Sequence, residues 1–290
     1  VTETPGLVWG DPQARVRRAA VLMTLTESAI ELAAATGVGC LVAHHPIADG
    51  ANSGGVTLKN YLDLYGLQAL ELHEAFHGLH PGISWLHGHQ ALEVDLCVGG
   101  VHGNILYYGQ TLPEVRTLGE LLARLESLMD LGTEREALEQ ERRLRSCPDL
   151  QETCASTGAR ILLGTPESPV RRVLHIFPHT GFTPEQLEAA KAAHPEADTV
   201  LATISRVYPG HPLIAKARDL GLNFLCGNSH ALEILENGVP LARALAAQLP
   251  DLEVRVFRER MTSYPLDAVG SGAVRDYGRD MASRYLAGTR

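Results

Sequence analysis

The sequence predicts a protein of the α/β class, built from two similar α/β lobes. Short apolar runs typical of buried strands alternate with segments that show a helical pattern. A faint internal repeat supports two lobes, because residues 29–44 and 213–230 both contain a helical segment, a glycine, a strand and a histidine. In open α/β sheets, ligands bind at the carboxyl ends of the strands. Two such lobes facing each other would bring both histidine-bearing strand ends into one cleft.

The first lobe, residues 1–130, is predicted from a strand–helix–strand unit. Residues 19–23 read as a buried strand, a helical pattern opens at Thr26, and Gly37 ends it in the position that glycine fills well. The strand at residues 38–43 follows, so the two strands are expected to pair in parallel. The remaining predictions for this lobe are a turn-rich loop at 49–55, helices at 58–65 and 117–129, and a strand at 67–72.

The middle of the chain, residues 131–167, is predicted to be a helical linker or a local elaboration. Residues 134–145 are dense in charge, which is typical of a solvated helix face. The second lobe, residues 168–290, then alternates strands and helices and ends in a C-terminal return segment. Its predicted strands are 170–177, 199–204, 222–226 and 252–257, and its predicted helices are 183–193, 212–220 and 239–248.

Composition limits the class of protein. The chain has 290 residues, of which 45% are hydrophobic, and a formal charge of -9, which argues against a broad nucleic-acid surface. No stretch approaches the roughly 18 to 20 apolar residues of a membrane span, and the first ten residues lack a signal-peptide pattern. Five scattered cysteines without CxxC spacing favour a reducing compartment, so we expect a cytoplasmic protein.

The most informative motif is His44-His45-Pro46, which ends the apolar strand at 38–43. It places two imidazoles at the carboxyl edge of the predicted sheet, where ligands bind. Imidazole is also the commonest protein ligand for transition metals. The alternative is a pair of histidines without a ligand, but the combination favours metal or substrate binding.

Two further clusters carry candidate ligands. The segment from His73 to His77 follows one predicted strand, and the segment from His230 to Glu233 follows another. His230 and Glu233 are three residues apart, so a helical turn places them on one face. Imidazole and carboxylate without cysteine suit Zn, Fe, Mn or Co. The alternative for His230 and Glu233 is an ordinary helix N-terminus.

Other histidines are weaker candidates. His87 and His89 match the ligands in composition, but no predicted strand end presents them. His175 is expected to be structural or to face solvent, and His211, at a predicted helix start, is within possible reach of the cleft.

The three clusters, in this order, resemble the motifs of the dinuclear metal-centre proteins called Nif-three-like, often labelled GTP cyclohydrolase type 2 homologs. The first motif matches residues 42–47, the second residues 73–77 with 81–84, and the third residues 227–233 followed by 238–242. The similarity covers about residues 15–130 and 168–258. It implies two similar lobes with the metals between them, and a homohexameric ring. The ligands it implies are His44, His45, His77, His230 and Glu233, holding one or two divalent ions.

The chain departs from the family at two of these positions. The family's bridging Asp aligns with His77, and an imidazole nitrogen cannot bridge two ions as a carboxylate does. Either bridging shifts to Glu233 or the second ion is lost. The family's last His and Glu are usually four residues apart, whereas His230 and Glu233 are three apart, so Glu236 is an alternative ligand. Residues 131–167 have no clear counterpart in the family.

Two functional hypotheses follow. The first is a metal-dependent hydrolase of a small substrate, for which a nucleotide-like molecule is one candidate, with Glu233, Glu236 or His73 as general base. The second is a metal-binding regulatory or scaffold protein without catalysis, and a separate, weaker interpretation is a zinc-stabilised structural domain without catalysis. An open coordination position would favour the hydrolase, and a closed ligand shell would favour the others.

Overall fold

The structure, a computed structural model, describes residues 5–47, 58–73, 82–101, 104–177, 182–202 and 207–286. The predicted loop at 49–55 lies outside these residues. The strands are β1 (Gly6–Trp9), β2 (Arg18–Leu22), β3 (Cys40–Ala43), β4 (Gln68–Glu71), β5 (His89–Asp95), β6 (Ile105–Thr111), β7 (Gln151–Glu152), β8 (Arg160–Leu163), β9 (Arg172–Phe177), β10 (Thr199–Ala202), β11 (Asn223–Cys226), β12 (Glu253–Val256) and β13 (Thr262–Ser263).

The helices alternate with these strands along much of the chain. They are α1 (Glu27–Thr36), α2 (Leu58–Tyr65), α3 (Gly82–Leu86), α4 (Leu118–Leu128), α5 (Leu131–Leu144), α6 (Thr153–Ser156), α7 (Pro184–Ala193), α8 (Pro212–Asp219), α9 (His230–Glu233), α10 (Val239–Gln248) and α11 (Gly272–Met281). A π-helical turn, Ile234–Gly238, joins α9 to α10.

The chain forms two α/β lobes, each with its own sheet, as the sequence predicted. The first sheet has the order β1-β4-β3-β2-β12, in which only β1 is antiparallel to its neighbour. The second has the order β5-β6-β9-β10-β11-β8, with β9, β10 and β11 parallel. The predicted parallel pairing of β2 with β3 is confirmed.

The central strands of each sheet are buried on both faces, which explains why they read as continuous apolar runs. In β3, Leu41 and Ala43 join one apolar cluster, while Cys40 and Val42 join another on the opposite face. In β11, Phe224 and Leu225 divide in the same way between two clusters of the second sheet. The cores therefore lie on both sides of each sheet, and the site residues sit at the strand ends.

Helix α1 illustrates how local sequence sets the element ends. Thr26 caps its first turn by accepting a hydrogen bond from the Ala29 amide. Gly37 ends it with a φ of 67°, the left-handed conformation in which glycine carries no steric penalty. The helix therefore returns the chain directly into β3 and the histidine pair that follows.

The sheets divide the chain differently from the sequence-based lobes. Strand β6, within the predicted first lobe, pairs with β9 and carries β5 with it into the second sheet, and β12, within the predicted second lobe, pairs with β2. Strand β8, within residues 131–167, pairs with β11. We keep 1–130, 131–167 and 168–290 as a proposal for domains.

None of the helices among the described residues is long and apolar enough to span a membrane.

We expect Phe224→Ala to lower the free energy of unfolding by about 3–5 kcal/mol, because it leaves a cavity in the core of the second sheet. Phe224 is fully buried there. The measurement is urea unfolding followed by circular dichroism. Leu144→Ala is the control, since Leu144 is 87% exposed and its loss should change stability by no more than about 0.5 kcal/mol. Equal effects of the two substitutions would contradict this account of the core.

Candidate metal centre

Histidines from both sheets meet at the carboxyl ends of parallel strands. His44 and His45 follow β3, and their amides extend the ladder by donating to the carbonyls of Leu22 and Met23. The Ile47 amide then donates to the buried Glu71 carboxylate at 2.8 Å, which holds the chain after the histidine pair. His230, at the start of α9, follows β11 of the second sheet.

Glu233 lies at the centre of this group and faces three imidazoles. Its Oε2 is 3.3 Å from Nδ1 of His230 and 3.6 Å from Nε2 of His45. Its Oε1 is 3.8 Å from Nε2 of His44. The rings of His45 and His230 stack, with centroids 4.5 Å apart. One carboxylate therefore directs its two oxygens toward histidines that come from different sheets.

These distances suit a metal ion. Ligand atoms about 2.0–2.2 Å from a tetrahedral zinc lie about 3.3–3.6 Å from one another. The candidate ligand atoms of His45, His230 and Glu233 all lie within 4.8 Å of each other, and two of the separations are 3.3 and 3.6 Å. Two nitrogens and one carboxylate oxygen form a donor set typical of zinc or of another divalent transition metal. The residues present therefore fit the ion that the sequence predicts.

A second, overlapping group consists of His44, His45 and His73. The ring of His73 lies 4.8 Å from that of His44 and 5.6 Å from that of His45. His73 follows β4, so the ends of two neighbouring strands of the first sheet, β3 and β4, contribute to this group. The two groups share His45. Glu233 directs Oε1 toward His44 of the second group and Oε2 toward His230 of the first. This arrangement is compatible with one ion or with two.

Two residues that the sequence analysis missed lie against the histidines of the cluster. Thr24 Oγ1 lies 3.1 Å from Nδ1 of His45, which fixes the ring so that Nε2 faces Glu233. The Thr24 amide donates to Glu259 at 3.0 Å, and Glu259 also lies 3.9 Å from Nε2 of His230. Thr24 and Glu259 follow the parallel strands β2 and β12, and this position after a predicted strand was the available signal.

Burial controls the charge of the cluster. Burial lowers the pKa of His44 to about 3, although Glu233 opposes this effect, so its imidazole stays neutral and keeps a lone pair for a metal. For Glu233, burial favours the neutral acid, but hydrogen bonds from His230 and His45 outweigh it and hold the pKa below its usual value. The centre thus offers a carboxylate and neutral imidazole at neutral pH.

Glu236, the alternative ligand, faces a different group of histidines. Its Oε1 lies 2.8 Å from Nε2 of His87 and also accepts a hydrogen bond from Asn228. His87 Nδ1 lies 3.2 Å from His175 Nε2, and His175 Nδ1 lies 2.9 Å from His89 Nε2. All of these side chains are buried. They form one hydrogen-bonded chain that connects the second sheet to the helix that carries Glu233.

The carboxylate of Glu236 sets the direction of this chain. A carboxylate accepts, so His87 donates from Nε2; for neutral rings, His175 and then His89 must donate from Nε2 in turn. His89 Nδ1 is then left as an acceptor, and none of the described residues bonds to it. Gly109 faces this atom, and a Cβ at that position would lie 2.2 Å from it. The packing therefore leaves room only for glycine beside His89.

The predicted site residues divide into three outcomes. The structure brings together His44, His45, His73, His230 and Glu233. His77 lies outside the described residues, so its part in the site stays a prediction. His211 caps α8 by accepting from the Leu213 amide.

We expect the free energy of unfolding to fall as the pH drops below about 6.5. Burial lowers the pKa of His89 to about 3 and that of His175 well below its usual value. Both titrate near 6.5 in the unfolded chain. Between pH 6.5 and 3 the two histidines therefore bind protons in the unfolded chain but stay neutral in the folded chain. Each histidine adds a slope of up to about 1.4 kcal/mol per pH unit, and neither contributes above about pH 7.

Urea unfolding at pH 5, 6, 7 and 8 measures this dependence. A His175→Leu variant should be less stable throughout but should show a shallower slope between pH 5 and 6. An unchanged slope in that variant would contradict the role assigned to the buried histidines.

Comparison with known proteins supports the same fold. No protein-family model matches the sequence, and no curated protein matches it. Among solved structures, the chain is similar to reduced HcgD from Methanocaldococcus jannaschii, with 15% identity, 88% of each chain covered and a TM-score of 0.59. It is also similar to protein SA1388 from Staphylococcus aureus, with 12% identity, 88% of this chain and 89% of that chain covered and a TM-score of 0.56.

A third similar structure is a Bacillus cereus protein related to NIF3, with 15% identity, a TM-score of 0.55 and coverage of 88% of this chain and 90% of that one. Identities this low establish the fold alone. The chain therefore has the fold of NIF3-like proteins, as the resemblance in its sequence predicted.

Proposed function

We propose that the protein is a metal-dependent hydrolase of a small substrate, with a mono- or dinuclear centre held by His44, His45, His230 and Glu233. The observation that carries the proposal is the buried Glu233 carboxylate, whose two oxygens face imidazoles from both sheets. His77 is retained as a further ligand outside the described residues. The cytoplasmic location and the hexameric ring implied by the resemblance belong to the same proposal.

Among the residues that the structure describes, the centre is open on one side, as a catalytic site requires. The side chains of His44 and Glu233 are almost fully buried, whereas that of His230 is 31% exposed. A cavity of about 740 Å³ adjoins His230 on this side. A purely structural site would have a closed ligand shell, so the partial exposure favours the hydrolase over the regulatory or scaffold alternative.

A bound divalent ion would lower the pKa of water and polarise a carbonyl or phosphoryl group. The chain itself would orient the substrate and move protons. Glu233 would itself be a metal ligand and could not accept the proton. His73 is therefore the general base that we propose for a centre with one ion. With two ions, His73 becomes a ligand, and Glu259 is the carboxylate on the open side.

Metal content tests the ligand set. We expect protein purified without a His-tag to contain one or two divalent ions per chain by elemental analysis, and His45→Ala to contain less.

Glu233→Gln should weaken zinc affinity by at least about tenfold, because the amide loses the charge that faces the imidazoles. Glu236→Gln is the matched control and should keep its affinity, since its carboxylate bonds to His87 and Asn228. A larger loss in Glu236→Gln would transfer the ligand role to Glu236.

Metal-dependent hydrolysis tests the reaction class. We expect zinc- or manganese-loaded protein to hydrolyse at least one member of a panel of small esters, amides and phosphoesters, and to lose this activity with a chelator. The His45→Ala variant should be inactive on the same substrate. Full metal occupancy without hydrolysis across the panel would favour the regulatory or scaffold alternative.

A further inference from the structure

The 740 Å³ cavity beside the metal centre is well placed to hold a substrate. Its lining includes Leu22 at the end of β2, Phe257 after β12, and His230 of the metal centre. Strands β2 and β12 are parallel, so the cavity covers the carboxyl edge of the first sheet, where ligands bind in such folds. Its volume lies within the range of small-molecule sites.

Residues 131–167 build one side of this cavity. Thr153 and Thr157 lie in its wall, to which α1 contributes Ala29 and Leu32. The segment that follows β12, residues 257–261, completes the enclosure. The segment without a counterpart in the sequence resemblance therefore shapes the space next to the metal centre.

The lining is mainly apolar, with hydroxyl groups around it. Leu32, Phe257 and Met261 supply apolar surface, and Leu32 and Met261 are 46% and 75% exposed. Thr26 and Thr157 supply hydroxyl groups. Exposed apolar side chains that line a concave surface are typical of a ligand site.

The two arginines of the cavity wall already form ion pairs with carboxylates. Arg258 binds Glu134 at 2.6 Å and lies 3.5 Å from the Cys154 sulfur, and Arg260 binds Glu141 at 2.7 Å. Both carboxylates belong to α5. The carboxylate that itself lines the cavity, Glu259, lies at the metal end beside His230. A phosphorylated ligand would have to compete with Glu134 and Glu141 and would face Glu259.

We propose that this cavity is the substrate pocket of the metal centre and that it takes an uncharged, largely apolar small molecule. The proposal rests on the proposed function and refines it. The apolar body would contact Leu32 and Phe257, and its polar group would point toward His230 and Glu259. Residues 131–167 act as a specificity element, because α5 neutralises the arginines while Thr153 of α6 and Thr157 after it supply hydroxyl groups. A nucleoside triphosphate does not match this lining.

Three probes with one ring and different charges test the proposal. Benzamide, benzoate and phenyl phosphate are titrated into zinc-loaded protein, and binding is followed by calorimetry and amide chemical shifts. We expect saturable binding of benzamide, at least tenfold tighter than that of phenyl phosphate. Absence of benzamide binding, or tighter binding of phenyl phosphate, would overturn the proposal.

A pair of leucine substitutions locates the binding. Leu32→Arg places a charge in the cavity wall and should weaken benzamide binding at least tenfold. Leu64→Arg is the matched control, because Leu64 is an exposed helical leucine, 71% accessible, that does not line the cavity. Equal benzamide affinities in the two variants would overturn the assignment of the cavity.

The zinc affinity of each sample separates this proposal from the proposed function. Leu32 is not among the candidate ligands, so Leu32→Arg should bind zinc as the unmodified protein does. Zinc binding without benzamide binding would overturn the pocket and leave the metal centre standing. Benzamide binding at Leu32 without zinc binding would overturn the metal centre, while the ligand class of the cavity would stand.

Discussion

The buried carboxylate of Glu233 is the constraint on which the candidate centre depends. A charged group in a protein interior is costly unless partners compensate it, and here the partners are imidazoles from both sheets. The first sheet supplies His44 and His45, and the helix after the second sheet supplies His230 and Glu233 itself. The two lobes must therefore meet at this point for the charge to be compensated, and a divalent ion would strengthen the same contact. Function and lobe packing consequently share one electrostatic requirement.

The π-helical turn Ile234–Gly238 lets one helix serve two clusters. Glu233 precedes the turn and faces the candidate metal ligands, whereas Glu236 lies inside it and faces His87. Such turns occur frequently at functional sites, since they redirect side chains within a helix. Through His87, His175 and His89, Glu236 connects this helix to strands of the second sheet. The buried polar groups around Glu236 thus attach this helix to the second sheet by hydrogen bonds, separately from the candidate ligands around Glu233.

The sequence predicts the fold and part of the centre because local signals coincide there. Local features mark the strands and their ends: the apolar runs, Gly37 at the end of α1, and the histidines after the strands. The parallel pairing of β2 with β3 follows from their short helical connection. The pairing of β6 with β9 is non-local, and the partly exposed strand β5, which pairs with β6, lacks an apolar run. The link between His87 and Glu236 spans 149 residues, so periodicity carries no information about it. The ligand choice between Glu233 and Glu236 likewise depends on the π-helical turn, which has no simple sequence signature.

Residues 131–167 show how an elaboration acts on a site without contributing a candidate ligand. Helix α5 is charge-dense, and in isolation its carboxylates read only as a solvated face. In the structure α5 contacts the segment after β12. There Glu134 and Glu141 compensate the positive charges of Arg258 and Arg260 beside the metal centre. An arginine held by a carboxylate has less potential to attract a second anion, because its donors and charge are already engaged. The same fold without this helix would leave two unpaired guanidinium groups near the centre and would favour anionic ligands. The elaboration therefore changes the charge of the pocket while leaving the candidate ligands in place.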